Sequence, residues 1–173
     1  MMAISKKLPV LGALVGLLFY WALAMGETAA QCQTDNAALQ AMDNASVQFR
    51  YADGKEFEIK VKLADNPVTR AAGFQQVCAA TIAEKPILFL FEREVIPNFH
   101  MNNVFAPIDI AFIDQAGRID SIHAMQTYVL GSNRRPLYSS RKPVVAALEV
   151  HPGFYRTHNI DQSVSVSWQS AAD

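Results

Sequence analysis

From residue 45 onward, the apolar residues of this 173-residue chain recur at every second position or run together in short blocks separated by turn residues. Val47, Phe49 and Tyr51 alternate with Gln48 and Arg50. After Asp53-Gly54, Phe57, Ile59, Val61 and Leu63 alternate with Glu58, Lys60 and Lys62. Period two on both sides of an Asp-Gly turn predicts a β-hairpin with one buried and one solvated face. The blocks "PILFLF" (86–91) and "PIDIAFID" (107–114) are apolar at successive positions, which predicts strands covered on both faces. Gln115-Ala116-Gly117 closes the second block, and "RIDSIHAM" (118–125) reads as its hairpin partner. "EREVIPN" reads as a loop, "FHMNN" as a short strand or strand end, and 127–143 as a polar loop. "VVAALEV" (144–150) is a strand, "HPGFYRTHNI" a turn or single helical turn, and "SVSVSW" (163–168) a last strand. In "DNPVTRAAGFQQV", Asn66 suits an N-cap, Pro67 a first helical position, and Gly73 an early end. The expected architecture is mainly β, a sandwich or barrel with one short helix, in a single domain spanning 45–173.

The N-terminus has a different pattern. Lys6 and Lys7 precede an apolar stretch from Val10 to Ala24, and Thr28 and Ala30 fit a small-x-small cleavage site. Residues 1–30 therefore read as a signal peptide, with Gln31 as the new N-terminus; a cut after Ala24 also fits. The alternative is an uncleaved anchor formed by residues 8–25, for which the apolar run is short of the roughly 20 residues a spanning helix needs. Gln31 before Cys32 is no lipobox residue. Residues 31–44 are rich in Ala, Asn and Gln and read as a polar leader.

Composition narrows the picture. The formal net charge of −1 lacks the basic footprint of a nucleic-acid binder, so no nucleic-acid partner is expected. The chain holds two cysteines, Cys32 and Cys78. Their spacing matches no metal motif, and in an exported chain two thiols tend to pair, so a Cys32–Cys78 disulfide is expected.

Two carboxylates stand out. Asp109 shares a strand face with Pro107, Ala111 and Ile113, and Glu149 shares one with Val145 and Ala147. Both strands are apolar on both faces, where an unpaired charge is expensive. One reading is structural: each acid accepts backbone hydrogen bonds or meets a cation such as Arg70. The other is a shared pocket in which burial raises a pKa and an acid donates or takes a proton. His123 and Met125 lie two apart on one strand and would suit a soft metal, but no ligand spacing here is diagnostic; no cofactor is expected. There is no Gly-rich phosphate loop, and Ser139-Ser140 lack the glycines of a nucleophile elbow.

The run "GFQQV…PILFLF…FHMNNVFAPIDIAFID…YSS…VVAALEVHPGF" resembles domain of unknown function 192 (DUF-192), from about Val61 to Val166. Phe99, Met101, Asn103, Pro107, Asp109, Ile110, Phe112, Tyr138, Leu148, Glu149 and Gly153 fall on that family's pattern. His100 replaces the usual Trp, Asn102 the usual Lys, Val104 the usual Thr, and Phe74-Gln75 the usual Leu-Met. The resemblance implies a compact, mostly β, jelly-roll-like domain, often behind a signal peptide, and no known activity. It favours one cluster built from the segment before residue 107 and the strand 144–150. The ligand-pocket candidates are Asp109, Glu149, Asn102, Asn103, Met101, His100, Tyr138 and Arg70.

These readings lead to an exported, periplasmic or secreted β-domain that binds a small molecule or an envelope component without catalysis, touching a membrane only through an uncleaved N-terminal segment. The alternatives are a glycosidase-like hydrolase with Asp109 and Glu149 as its acid/base pair, and a periplasmic metal-handling protein using His123 and Met125.

Overall fold

The computed structural model describes residues 32–128, 131 and 133–170. The signal-peptide and anchor readings of the first 30 residues lie outside them. Among the described residues the chain is mainly β, with nine strands and four short helices. Seven strands form one mixed sheet: β1 (Asp43–Arg50), β2 (Glu56–Ala64), β3 (Ile87–Val95), β5 (Ile108–Ile113), β6 (Ile119–Met125), β8 (Val144–Val150) and β9 (Ser165–Ser170). Their order is β6-β5-β8-β3-β2-β1-β9. β4 (Asn98–Phe99) and β7 (Tyr138–Ser139) form a separate two-stranded sheet.

The hairpin read from period two is β1–β2, with Phe49 opposite Phe57 and Val47 opposite Ile59. β2 and β3 run parallel, and every other neighbouring pair in the large sheet is antiparallel. β5 is covered on both faces, as its apolar run requires. Ala111 and Ile113 join a core with Val47, Phe49, Val61, Leu63, Leu148 and Val166, while Ile108, Ile110 and Phe112 join a second core with Leu39, Phe74, Ile82 and Phe89. The first core forms because the sheet curls over itself. At the seam Arg118 bridges Ser165 and the Val166 N–H donates to the Gly117 carbonyl at 2.8 Å. Gly117 has φ 74°, and a Cβ there would lie 2.3 Å from the Val166 carbonyl oxygen, so only glycine allows this contact. The seam does not extend into a continuous ladder, so the barrel alternative gives way to a curled open sheet.

Four helices replace the one expected. α1 (Ala37–Gln40) and α3 (Ala79–Glu84) were not signalled, because six residues or fewer cannot show a 3.6-residue period. α4 (Phe154–Thr157) is the single turn read in "HPGFYRTHNI". α2 (Pro67–Ala72) follows its signals: Asn66 Oδ1 accepts from the Val68 and Thr69 N–H groups, and Gly73, at φ 45°, ends the helix. The 31–44 segment contributes α1, the start of β1, and Leu39 and Met42, which are buried in the second core. "EREV" is strand rather than loop, because β3 continues past a register shift between Leu90 and Val95 with Glu92, Arg93 and Glu94 facing solvent.

The Cys32–Cys78 disulfide is present, with Cα atoms 4.8 Å apart. Around it the Gln33 N–H donates to the Gln76 carbonyl (2.7 Å), the Cys78 N–H to Gln33 (2.9 Å) and the Gln76 N–H to Asn103 (2.7 Å). The bridge thus pins residues 32–36 to the loop after α2, which holds the segment before β5. A disulfide of this kind belongs to an oxidising, non-cytoplasmic compartment. Among the described residues no helix is long and apolar enough to cross a membrane.

Candidate functional site

The two lone acids part company. In the β5–β8 ladder Asp109 pairs with Val150, and Ile110 pairs with Glu149. Paired residues share a face and successive residues alternate, so Asp109 lies with Val150 on the first core and Glu149 with Ile110 on the second. A one-residue offset places them on opposite sides of the sheet. The single cluster containing both acids, and with it the acid/base pair of the hydrolase reading, is therefore corrected.

Asp109 is buried, and its Oδ2 accepts from the Gly153 N–H at 2.8 Å. The donor is backbone at the start of α4, not the Arg70 guanidinium. Asp109 thereby ties the first residue pair of β5 to the turn that brings Phe154 and Tyr155 into the first core. Asp109→Ala leaves that N–H unpaired and is expected to cost about 1–3 kcal/mol. Asp109→Asn keeps an acceptor and is expected to cost less. Urea unfolding of both variants measures this, and an Ala variant as stable as wild type would remove the anchoring role.

Glu149 has the opposite environment. It is 5% exposed, and its Oε2 has no hydrogen-bond partner among the described residues. Burial pushes its carboxyl up from 4.5 to about 8, so at neutral pH it holds its proton. It lies in the floor of a cleft of about 290 Å³. α2 and its exit form one wall through Arg70, Ala72, Gly73 and Gln75; Phe89 and Phe91 of β3 form another; Pro97, Phe99, His100 and Val104 form the third. Gly73, at positive φ, ends α2 here, and the two residues after it, the buried Phe74 and the half-buried Gln75, complete this wall. Phe89 and Phe99 meet edge to face at 5.0 Å.

Arg70 lines this cleft without pairing with Glu149. Its Nη1 donates to the Leu90 carbonyl at 3.0 Å and to the Asp65 carbonyl, and its Nη2 is 3.7 Å from Glu92. Leu90 sits where the β3–β8 register shifts, so the guanidinium takes up a carbonyl beside the irregularity and fixes α2 against β3.

Of the candidates read from sequence, Glu149, Arg70 and His100 come together here. The others do not line the cleft. Met101 is core. Asn102 Oδ1 accepts from Arg135 at 3.1 Å, and the Asn103 carbonyl accepts from Gln76. Tyr138 accepts from the Gln126 N–H at 3.2 Å and faces the His123 ring at 6.2 Å. Met125 is fully buried in the second core, and His123 lies edge-on to Phe112 at 5.7 Å. Among the described residues no three His, Cys, Asp or Glu side chains group to hold a metal ion. The walls Phe89, Phe91 and Phe99 were missed, since a phenylalanine in a strand carries no mark of what it faces. A second depression, lined by Asp114, Arg118, Asp120 and Arg141, is internally answered: Arg118 pairs with Asp114 at 2.8 Å, and the Arg141 N–H donates to Asp120 at 2.7 Å.

Comparison with known proteins gives the fold wider company. A solved structure from Sinorhizobium meliloti 1021, described as a candidate transcription regulator, is 25% identical, with a TM-score of 0.61 over 73% of this chain and 95% of that one. A protein of unknown function from Novosphingobium aromaticivorans DSM 12444 is 21% identical, with a TM-score of 0.60 over 79% of this chain and 99% of that one. No curated protein matches in sequence. The family model for DUF192, described as Uncharacterized ACR, matches residues 49–168, which takes in β3, the 97–104 segment and Glu149, and the chain belongs to that family.

Proposed function

We propose that this protein is an exported, periplasmic or secreted binder of a small ligand, seated in the cleft over Glu149, and that it performs no catalysis on it. The observation that carries this is Glu149 itself: a buried carboxyl oxygen with no partner among the described residues, in the floor of an aromatic-walled cleft. Burying a polar group unpaired costs on the order of 1–3 kcal/mol, a cost that a ligand offering a hydrogen-bond partner removes. Aromatic walls with convergent polar groups are the usual form of a small-molecule site, and about 290 Å³ suits a small one. Export fits the disulfide and the N-terminal sequence pattern. Binding rather than glycoside hydrolysis fits the single carboxyl: its companion acid is on the other side of the sheet, and the glycosidase mechanism uses two.

The test is a thermal-shift screen of small organic cations, alcohols and carboxylates against wild type and Ala72→Trp, which fills the cleft from α2. A ligand at 100 times its Kd adds about 2.7 kcal/mol, a rise of several degrees in Tm. Shifts in wild type that vanish in Ala72→Trp are expected. Equal shifts in both proteins, or none in wild type, would sink the reading.

A further inference from the structure

We propose that the ligand of this cleft is an organic ammonium ion, whose N–H group pairs with the Glu149 carboxylate while its apolar body lies against the rings of Phe91 and Phe99. This rests on the cleft reading above and adds the chemical class. Three observations select a cation. Glu149 lines the cleft, and its buried Oε2 has no partner among the described residues, so its carboxyl is an uncompensated polar group there. The walls beside it are phenylalanine rings, whose faces carry the negative end of the ring quadrupole and attract a cation within about 6 Å of the centroid. The Arg70 guanidinium, which would otherwise serve as the counter-ion, is held by the Leu90 and Asp65 carbonyls and by Glu92. An anionic ligand would meet ring faces that repel it, and could gain only the O–H bond that Glu149 donates while it keeps its proton. A neutral alcohol gains one hydrogen bond. An ammonium ion gains that bond, the charge pair in a poorly hydrated site, and the ring contact.

Binding then carries a proton signature. The empty cleft holds Glu149 as a carboxylic acid below about pH 8. When the ammonium ion enters, the carboxylate is the form that pairs with it, so the carboxyl O–H bond breaks and one proton passes to solvent per cation bound. The affinity for a permanently protonated cation therefore rises as pH climbs toward 8 and levels off above it. The other charged or titratable groups around Glu149 are Arg70 on α2, His100 in the 97–104 wall, His123 on the same sheet face, and Tyr155 and Asp109 beyond the sheet. Of these, His100 lines the cleft, so it needs its own control.

The experiment is calorimetric titration of the whole protein with three shape-matched probes: phenethylammonium, 2-phenylethanol and phenylacetate. It is run at pH 6, 7 and 8, in two buffers of different ionisation heat. The expected result is that phenethylammonium binds at least tenfold tighter than the alcohol at pH 7. Its affinity should rise about tenfold from pH 6 to 7 and about fivefold from pH 7 to 8, with close to one proton released at pH 6 and 7 and about half a proton at pH 8. Glu149→Gln should remove the proton release and the pH dependence, and His100→Gln should keep both. If the alcohol or the carboxylate binds as tightly in an Ala72→Trp-sensitive manner, the cleft is a ligand site of another class and the ammonium inference is overturned. It is equally overturned if phenethylammonium binds with no proton release, or if the slope follows His100 instead. If none of the three probes binds, the ammonium inference fails, and the broader screen then decides the cleft reading separately.

Discussion

Glu149→Gln makes the protein more stable than wild type above pH 8 and flattens its stability between pH 5 and 8. The carboxyl titrates near 4.5 in the unfolded chain and at about 8 in the folded one, because burial penalises its ionised form. Between those values the native state holds a proton that the unfolded state has lost, so stability falls as pH rises through the window. The favourable contribution is fully present below about pH 4.5 and gone above about pH 8. The span corresponds to on the order of 5 kcal/mol, which relaxation and entry of water into the cleft will reduce. Glutamine has the same shape and no charge, so the variant lacks this slope. Asp114 works in the other direction: hydrogen bonds from Arg118 and Ala116 and the Arg118 charge outweigh its burial and hold its carboxyl below the ordinary 3.8. Its contribution is present above that value and lost as pH falls below it. Wild type should therefore be most stable near pH 4–5. Urea unfolding of both proteins from pH 4 to 9 measures the two slopes. Parallel curves would mean that Glu149 is ionised in the native state.

Reduction of the Cys32–Cys78 bridge, or its replacement by two serines, is expected to cost about 2–4 kcal/mol. The bridge closes a loop with a sequence separation of 46, for which the chain-entropy account gives about 4 kcal/mol at 25 °C. The loss should be local as well as global. Residues 32–36 hold the Gln75–Cys78 loop through Gln33 and Asn36, and Gln76 in turn holds Asn103. These contacts join the α2 wall of the cleft to the 97–104 wall. Hydrogen exchange should therefore quicken first at Gln33, Gln76 and Cys78, ahead of the β1–β2 hairpin. Unchanged exchange at Gln76 in the reduced protein would show that the hydrogen bonds alone hold the loop.

Short-range pattern was enough to read most of the strands. Alternation through Val47–Leu63 determined a hairpin and its buried face, and two-sided apolar runs determined that Ile108–Ile113 and Val144–Val150 are interior strands. Asn66, Pro67 and Gly73 determined α2, because capping and backbone freedom act within a few residues. What pattern could not supply is register between segments far apart in the chain. Both acids were legible as buried carboxylates, yet whether they met depended on whether Asp109 stood opposite Glu149 or Val150. That is set by the packing of whole strands, and a shift of one residue reverses the face. The same limit hid the cleft walls. Phe89, Phe91 and Phe99 look in sequence like any core residue, and only the placement of α2 across β3, fixed by Arg70 at the Leu90 carbonyl and by the loop pinned to Cys32, turns them toward a shared space. The sequence by itself determined a mainly β domain with a disulfide and two costly acids. The tertiary structure decided that one acid ties down a turn while the other lies in the floor of a cleft, because the two sit one residue out of step on neighbouring strands.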